Sequence, residues 1–338
     1  MRALFAMVAM LMAACSQPSS ETPSPAPPTL PSAGLARICS LPVWWDDGTD
    51  IHAAFVSVPD GRVTDAGTLP PLPQAGGAQL GGAYGATFNM ATRTWLRVGR
   101  PMLAPDGKRY AYWTANPSLD EIHVVDVATG ADRVVYSGPI LFIVLSFESD
   151  AIYVVHAINP KQGAFELLFR LEPAGGGTPT LVPGSDRHMY QFGWVLISDG
   201  AAWGIDVLVQ GNVYTYSILR LDLATARVTQ WLLGPQDDLV WPLGTDAAHR
   251  LYVQGVRQHE LWRLAAPVRA DQLPNPGPIS LGDYVGGPGG FVSDSQGVWF
   301  GGRGSVWLYS NAGVPKQFVV GLPGSDTWPA GPCLLLPP

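Results

Sequence analysis

The sequence predicts an all-β fold, and within that class a six-bladed β-propeller, with seven blades as the second choice. Three observations predict it. Of 338 residues, 39 are Gly, 32 are Pro and 12 are Trp, while only 14% are charged, a composition suited to short strands joined by tight turns. A turn containing Asp, followed by an aromatic or aliphatic run, recurs at Asp106, Asp150, Asp199, Asp246 and Asp294, with a weaker copy at Asp47. From Asp106 onward the spacings are 44, 49, 47 and 48 residues, the length of one four-stranded blade. A second turn follows in each unit, where an alternating strand ends in a polar residue and a small-residue turn. Its copies are ATFNMATR to Arg93, HVVDVATG to Gly130, LFRLEPAGG to Gly176, ILRLDLATA to Ala226 and VWLYSNAG to Gly313, with ELWRLAAP as a degenerate one.

Two turns per unit mean two hairpins, and so a meander of four strands, a to d. The units fall near 38–100, 101–139, 140–185, 190–235, 239–283 and 286–323. Each sheet has two apolar faces that only neighbours around an axis can cover, which accounts for continuous runs such as Ile140 to Phe147.

Ahead of the repeats, residues 1–14 read as a lipoprotein signal peptide. Arg2 supplies the positive start, and Leu4 to Met12 form an apolar run too short to span a bilayer. Met12-Ala13-Ala14-Cys15 places small residues before a cysteine in the manner of a lipobox, so Cys15 is the expected lipidation site. Residues 15–36 are rich in Ser and Pro and poor in apolar residues, a tether rather than a packed element. The propeller then occupies 37–338. With Cys15 lipidated, Cys39 and Cys333 remain, one at each end of the body, and in an oxidising compartment they are expected to form a disulfide. The short apolar segment from Cys333 to Leu336 is expected to pair beside residues 38–41, closing the ring through its two terminal strands.

The stretch APDGKRYAYW followed by EIHVVDVATG resembles the TolB-type propeller repeat of bacterial extracytoplasmic proteins, with Ala104 in place of the usual Ser. The match is good over about 40 residues of the second unit; the others keep the Asp and the strand pattern. The resemblance implies a propeller with protein-partner roles, and it carries no catalytic residue across.

Charge and motifs narrow the function classes. A formal charge of −7 leaves no basic stripe, which argues against nucleic acid as a partner. The six histidines are scattered without zinc-ligand spacing, no GxSxG elbow or phosphate loop occurs, and no metal, cofactor or catalytic residue is assigned. In a four-stranded meander the a–b and c–d turns share one end, while the longer b–c and d–a connections share the other, where binding loops are expected.

Three d–a segments there look related: PGSDRHMY, GPQDDLVWP and PGSDTWP. They give a candidate ligand rim of Asp186, Arg187, His188, Tyr190, Asp238, Trp241, Asp326 and Trp328, joined by His156 and Asp206 from the b–c ends. Carboxylates beside flat rings suit glycans or peptides, and the same residues also suit interblade packing. The expectation is a monomeric, membrane-anchored binding or scaffold protein of the bacterial cell envelope, extracytoplasmic, with a protein, glycan or small-molecule partner. The alternative is a channel-centred enzyme of the lyase, lactonase or quinoprotein kind.

Overall fold

The computed structural model describes residues 39–70, 79–81, 85–115, 119–159, 164–187, 189, 192–236, 238–255, 260–273, 279–280, 290–310, 315–319 and 326–335. Cys15, His188 and Tyr190 lie outside them. The described chain is a succession of antiparallel meanders. The first contains β1 (Cys39–Asp46), β2 (Ile51–Val58) and β3 (Val63–Thr68), followed by β4 (Gln79–Gly81) and the hairpin of β5 (Thr87–Asn89) and β6 (Thr94–Leu96). The next has β7 (Arg109–Ala115), β8 (Asp120–Asp126) and β9 (Asp132–Gly138), with β4 and a bridge at Leu103 along the free edge of β7. Two complete four-stranded units follow. They are β10 (Phe142–Phe147), β11 (Ile152–Asn159), β12 (Ala164–Leu171) and β13 (Thr180–Leu181), then β14 (Gly193–Ser198), β15 (Ala201–Gln210), β16 (Val213–Asp222) and β17 (Val228–Gln236).

The degenerate unit holds β18 (Val240–Thr245), β19 (Leu251–Gly255) and β20 (Glu260–Leu264). Its chain pairs briefly with β17 through β21 (Val268–Arg269) before β22 (Ile279–Ser280) returns to β20. The last unit is β23 (Phe291–Asp294), β24 (Gly297–Arg303), β25 (Ser305–Ser310) and β26 (Pro315–Val319). The chain then ends in β27 (Asp326–Pro329) and β28 (Leu334–Leu335), both paired to β1. This radial sequence of sheets, closed by pairing of the terminal strands, is a β-propeller.

The repeated turn chemistry is visible in the hydrogen bonds. Asp126 Oδ1 accepts the N–H groups of Ala128 and Thr129 and the Thr129 hydroxyl, and Gly130 takes φ +69°. Asp222 Oδ1 likewise accepts from Thr225 N–H and Oγ1, with Ala226 at φ +58°.

Packing runs from sheet to neighbouring sheet. Ala111, Ile122 and Val124 meet Val144, Ile152 and Val154, while Trp203, Ile205 and Ile218 meet Leu251, Val253 and Trp262. Val292, Trp299 and Val306 cover Leu41, Val43 and Val56, so the last sheet seals the first. Trp194, Trp203, Trp262 and Trp299 are the largest fully buried side chains, each contributing on the order of 2 kcal/mol or more by removal from water.

The closure places Cys39 opposite Leu335 and Val43 opposite Pro329, and Cys39 and Cys333 form a disulfide with Cα atoms 5.6 Å apart. Asp294 braces this join: its Oδ2 accepts the Cys333 N–H at 2.9 Å and Trp299 Nε1–H at 2.8 Å.

Two expectations for the first unit are corrected. Because β27 and β28 occupy the free edge of β1, the Asp47 turn joins the second and third strands of its sheet and is not an a–b turn. The a–b position is taken by the two chain ends. The ATFNMATR hairpin, β5–β6, is not part of the first meander either. It packs between two sheets, with Phe88 and Trp95 against Phe55 on one side and Leu96 and Val98 against the Tyr110 cluster on the other. The cause is that an Asp or Asn that bonds its own turn suits any hairpin, so turn sequence alone does not say which hairpin it closes.

In the β7–β9 sheet, Asp132 ties three strands together. It accepts the Tyr112 hydroxyl at 2.5 Å and faces His123 Nδ1 at 3.0 Å, with the two rings stacked at 4.6 Å. Asp132→Ala leaves those buried groups without their partner and is expected to cost about 2 kcal/mol, read as a lowered urea midpoint. Replacing Cys39 and Cys333 together by Ala is expected to lower stability by at most roughly 5 kcal/mol on chain-entropy grounds. An unaltered midpoint in that double variant would show that strand pairing alone holds the ring.

Candidate functional site

Strand direction sorts the candidate residues by end. At the loop end, the structure brings Arg187 and Asp206 together, Nη2 to Oδ2 3.7 Å, with Asp206 held on β15 opposite Ser217. Asp186 is exposed beside Arg187. His156 stands on β11 opposite Phe142, its ring 6.1 Å from that phenyl group. Asp326 opens β27 opposite Arg303.

The remaining residues sit deeper. Asp238 is only 2% exposed, and its carboxylate lies where a side chain on Gly255 would go. Trp241 is half-buried between two clusters, edge-on to Phe192 at 5.9 Å. Trp328 stacks on Trp44 at 6.0 Å and covers the bare Cα atoms of Gly290 and Gly301. Of the expected rim, then, Arg187 and Asp206 form a surface pair, and both tryptophans take part in packing between sheets.

The opposite end holds a cavity of about 360 Å³ to which β10, β14, β18, β23 and the segment before β7 contribute. Each first strand runs toward its Asp turn, so the residues just before those turns converge there. Ser198 precedes Asp199, Thr245 precedes Asp246 and Ser293 precedes Asp294, and all three hydroxyl residues line the cavity with Ser146, Leu196 and Phe291. Arg100, in the short helical turn Arg100–Met102, closes the remaining side. A second cavity of about 450 Å³ shares Arg100, Leu103 and Pro105 and extends along β5 to Ala330–Pro332. The signal that marks this site in the sequence is the hydroxyl residue before the repeated Asp; Arg100 carries no such signal.

The polar groups of the mouth are mostly engaged. Ser198 Oγ and Thr245 Oγ1 share a hydrogen bond of 2.7 Å between adjacent sheets. Ser146 donates to Glu148 Oε1 at 2.6 Å, and Asp199 Oδ2 lies 2.6 Å from His249 Nδ1. Asn89, in the second cavity, donates to the Gly107 carbonyl and accepts from Ala91 N–H. Arg100 differs. Its side chain is solvent-accessible, and no described residue accepts a hydrogen bond from it or pairs with it within 4 Å. Desolvation by the surrounding protein pulls its pKa below the ordinary guanidinium value, opposed by the charge of Asp294. Arg100 lines both cavities. Among the described residues, no group of three or more His, Cys, Asp or Glu is placed to hold a metal ion.

No family model matches the sequence, and no curated protein matches it. Solved structures are similar in fold. They include the nidogen/laminin complex, at 10% identity over 86% of this chain and 99% of the other, TM-score 0.44. TolB from Acinetobacter baumannii is similar at 10% identity over 87% of this chain, which spans 63% of that one, TM-score 0.40. A catalytically inactive virginiamycin B lyase from Staphylococcus aureus with quinupristin is similar at 10% identity over 89% and 96%, TM-score 0.43.

Trp328→Ala is expected to behave as a packing mutation, costing about 3 kcal/mol in chemical unfolding. Full stability in that variant would return Trp328 to the list of surface contacts.

Proposed function

We propose that this protein is a lipid-anchored, extracytoplasmic β-propeller that binds its ligand without transforming it, and that the mouth at the turn end is its binding site. The composition of that mouth supports the reading. Lyases and hydrolases need several free acid, base or metal-holding groups converging on one point. The mouth instead presents small hydroxyls, apolar walls and a single guanidinium, and its two carboxylates, Glu148 and Asp199, are each committed to a neighbour. A rigid, partly apolar depression with a few polar groups is suited to holding a ligand.

The cellular setting rests on the sequence: the leader ending at Cys15 and the Pro-rich tether to residue 36 would hang the propeller from a membrane. Among the described residues, no helix is long and apolar enough to cross one.

Cys15→Ser in the full chain is expected to move the protein from the membrane fraction to the soluble fraction of the envelope, with the propeller still folded. Retention in membranes would overturn the anchor. For the binding reading, envelope extract passed over the immobilised protein and analysed by intact mass is expected to yield bound material chemically identical to the input; steady appearance of a product would mark an enzyme.

A further inference from the structure

We propose that the turn-end mouth is a carboxylate-binding site in which the guanidinium of Arg100 is the principal contact. This deepens the binding reading above and rests on it.

The state of Arg100 carries the inference. The chain holds 20 basic side chains against 27 acidic ones, and several arginines are taken up by neighbouring carboxylates. Arg170 bonds Asp150 and Glu172, Arg220 bonds Asp222 and Arg250 bonds Asp246. Arg100 has no such partner among the described residues, yet it borders both cavities. Asp294 contributes charge from a distance, but its carboxylate oxygens accept from Trp299, Cys333 and Gln296. Arg100 therefore lines both openings with no described side chain paired to it.

A planar, singly charged acceptor fits the guanidinium fork through two parallel N–H···O bonds. A second donor stands across the cavity. Ser198 and Thr245 share one hydroxyl proton between them, which leaves the other proton of the pair to donate outward. The acidic side chains at the mouth decide against a more highly charged group. Glu148 and Asp199 flank it, and a phosphate dianion would meet repulsion from both, whereas one carboxylate is compensated by Arg100. The volume of about 360 Å³ suits a small organic acid or the terminal residue of a peptide, and both present the same group.

The test uses the full, disulfide-intact chain, with butyrate, trialanine bearing a free carboxyl terminus, trialanine amide, and sulfate as probes in calorimetric or NMR titrations. Wild type is expected to bind at least one carboxylate probe and not the amide. Arg100→Gln should weaken that binding by about tenfold or more, and Arg100→Lys, which keeps the charge and loses the fork, by an intermediate factor. Butyrate alone binding identifies a small acid; free trialanine binding identifies a peptide terminus. Arg100 is solvent-accessible, so both variants should keep the wild-type unfolding midpoint. Should either fail to fold, the side-chain Nε–H resonance of Arg100 in wild type must still shift on addition of the carboxylate. Absence of binding by any carboxylate, tighter binding of sulfate, or undiminished binding by Arg100→Gln overturns the proposal. Conversion of a probe, detected by mass, would sink the binding reading and leave the Arg100 dependence intact.

Discussion

Closure of the ring is the constraint on which the structure depends. An isolated four-stranded meander has two apolar faces and a core of neither, so every sheet here is stable only because another covers each face. Such a stack must either expose its terminal faces or return on itself. In this chain it returns: β27 and β28 pair with β1, Trp299 and Val306 pack on Leu41 and Val43, and the Cys39–Cys333 bridge joins the two ends. The noncovalent part of this join is short, a few ladder pairs from β27 and two residues of β28. The disulfide and the Cys333 N–H bond to Asp294 Oδ2 therefore reinforce the place where the ring has least backbone continuity.

The same geometry sets where chemistry can occur. First strands converge toward the axis, and each ends at an Asp turn whose carboxylate is engaged, Asp246 with the N–H groups of Ala248 and Arg250, Asp150 with Arg170 and Asp199 with His249. The turn residues are thus structural, and the residues one step earlier face the opening. Ser198, Thr245 and Ser293 owe their positions to the repeat, which makes the hydroxyl lining a product of the fold's periodicity. Arg100 stands outside that periodicity, in the segment between the inserted β5–β6 hairpin and the second meander. A repeated scaffold with one irregular cation is the arrangement expected where a site has been added to a fold that does not itself require it.

Much of the fold was legible in the sequence because its signals are local and repeated. The Asp spacing located the hairpins of the sheets from β7 to β26, and the position of the cysteines pointed to the join of the ends. The first unit was misread because Asp47 and the Arg93 turn carry the same turn chemistry as true repeat members, while their strand partners are set by β27 and by packing against Phe55, which are distant in sequence. The site was less legible. Acidic-aromatic segments such as GPQDDLVWP look alike whether the ring is solvent-facing or wedged between sheets, and only burial shows that Trp241 and Asp238 lie inside. Arg100 follows no motif, since what distinguishes it is its place on the lining of both cavities, which only three dimensions show.

Closure and site are physically linked through one residue. Asp294 Oδ2 holds the backbone of Cys333 and the indole of Trp299, and its charge acts on Arg100. The segment that leads into the bridge, Ala330 to Pro332, lines the cavity that Arg100 shares with the axial mouth. If the ends parted, Asp294 would lose the Cys333 N–H donor, and one wall of the second cavity would leave with the terminal segment. The lock at the termini therefore borders the opening that Arg100 lines, and the residue that accepts the Cys333 N–H also sets part of the charge around that guanidinium.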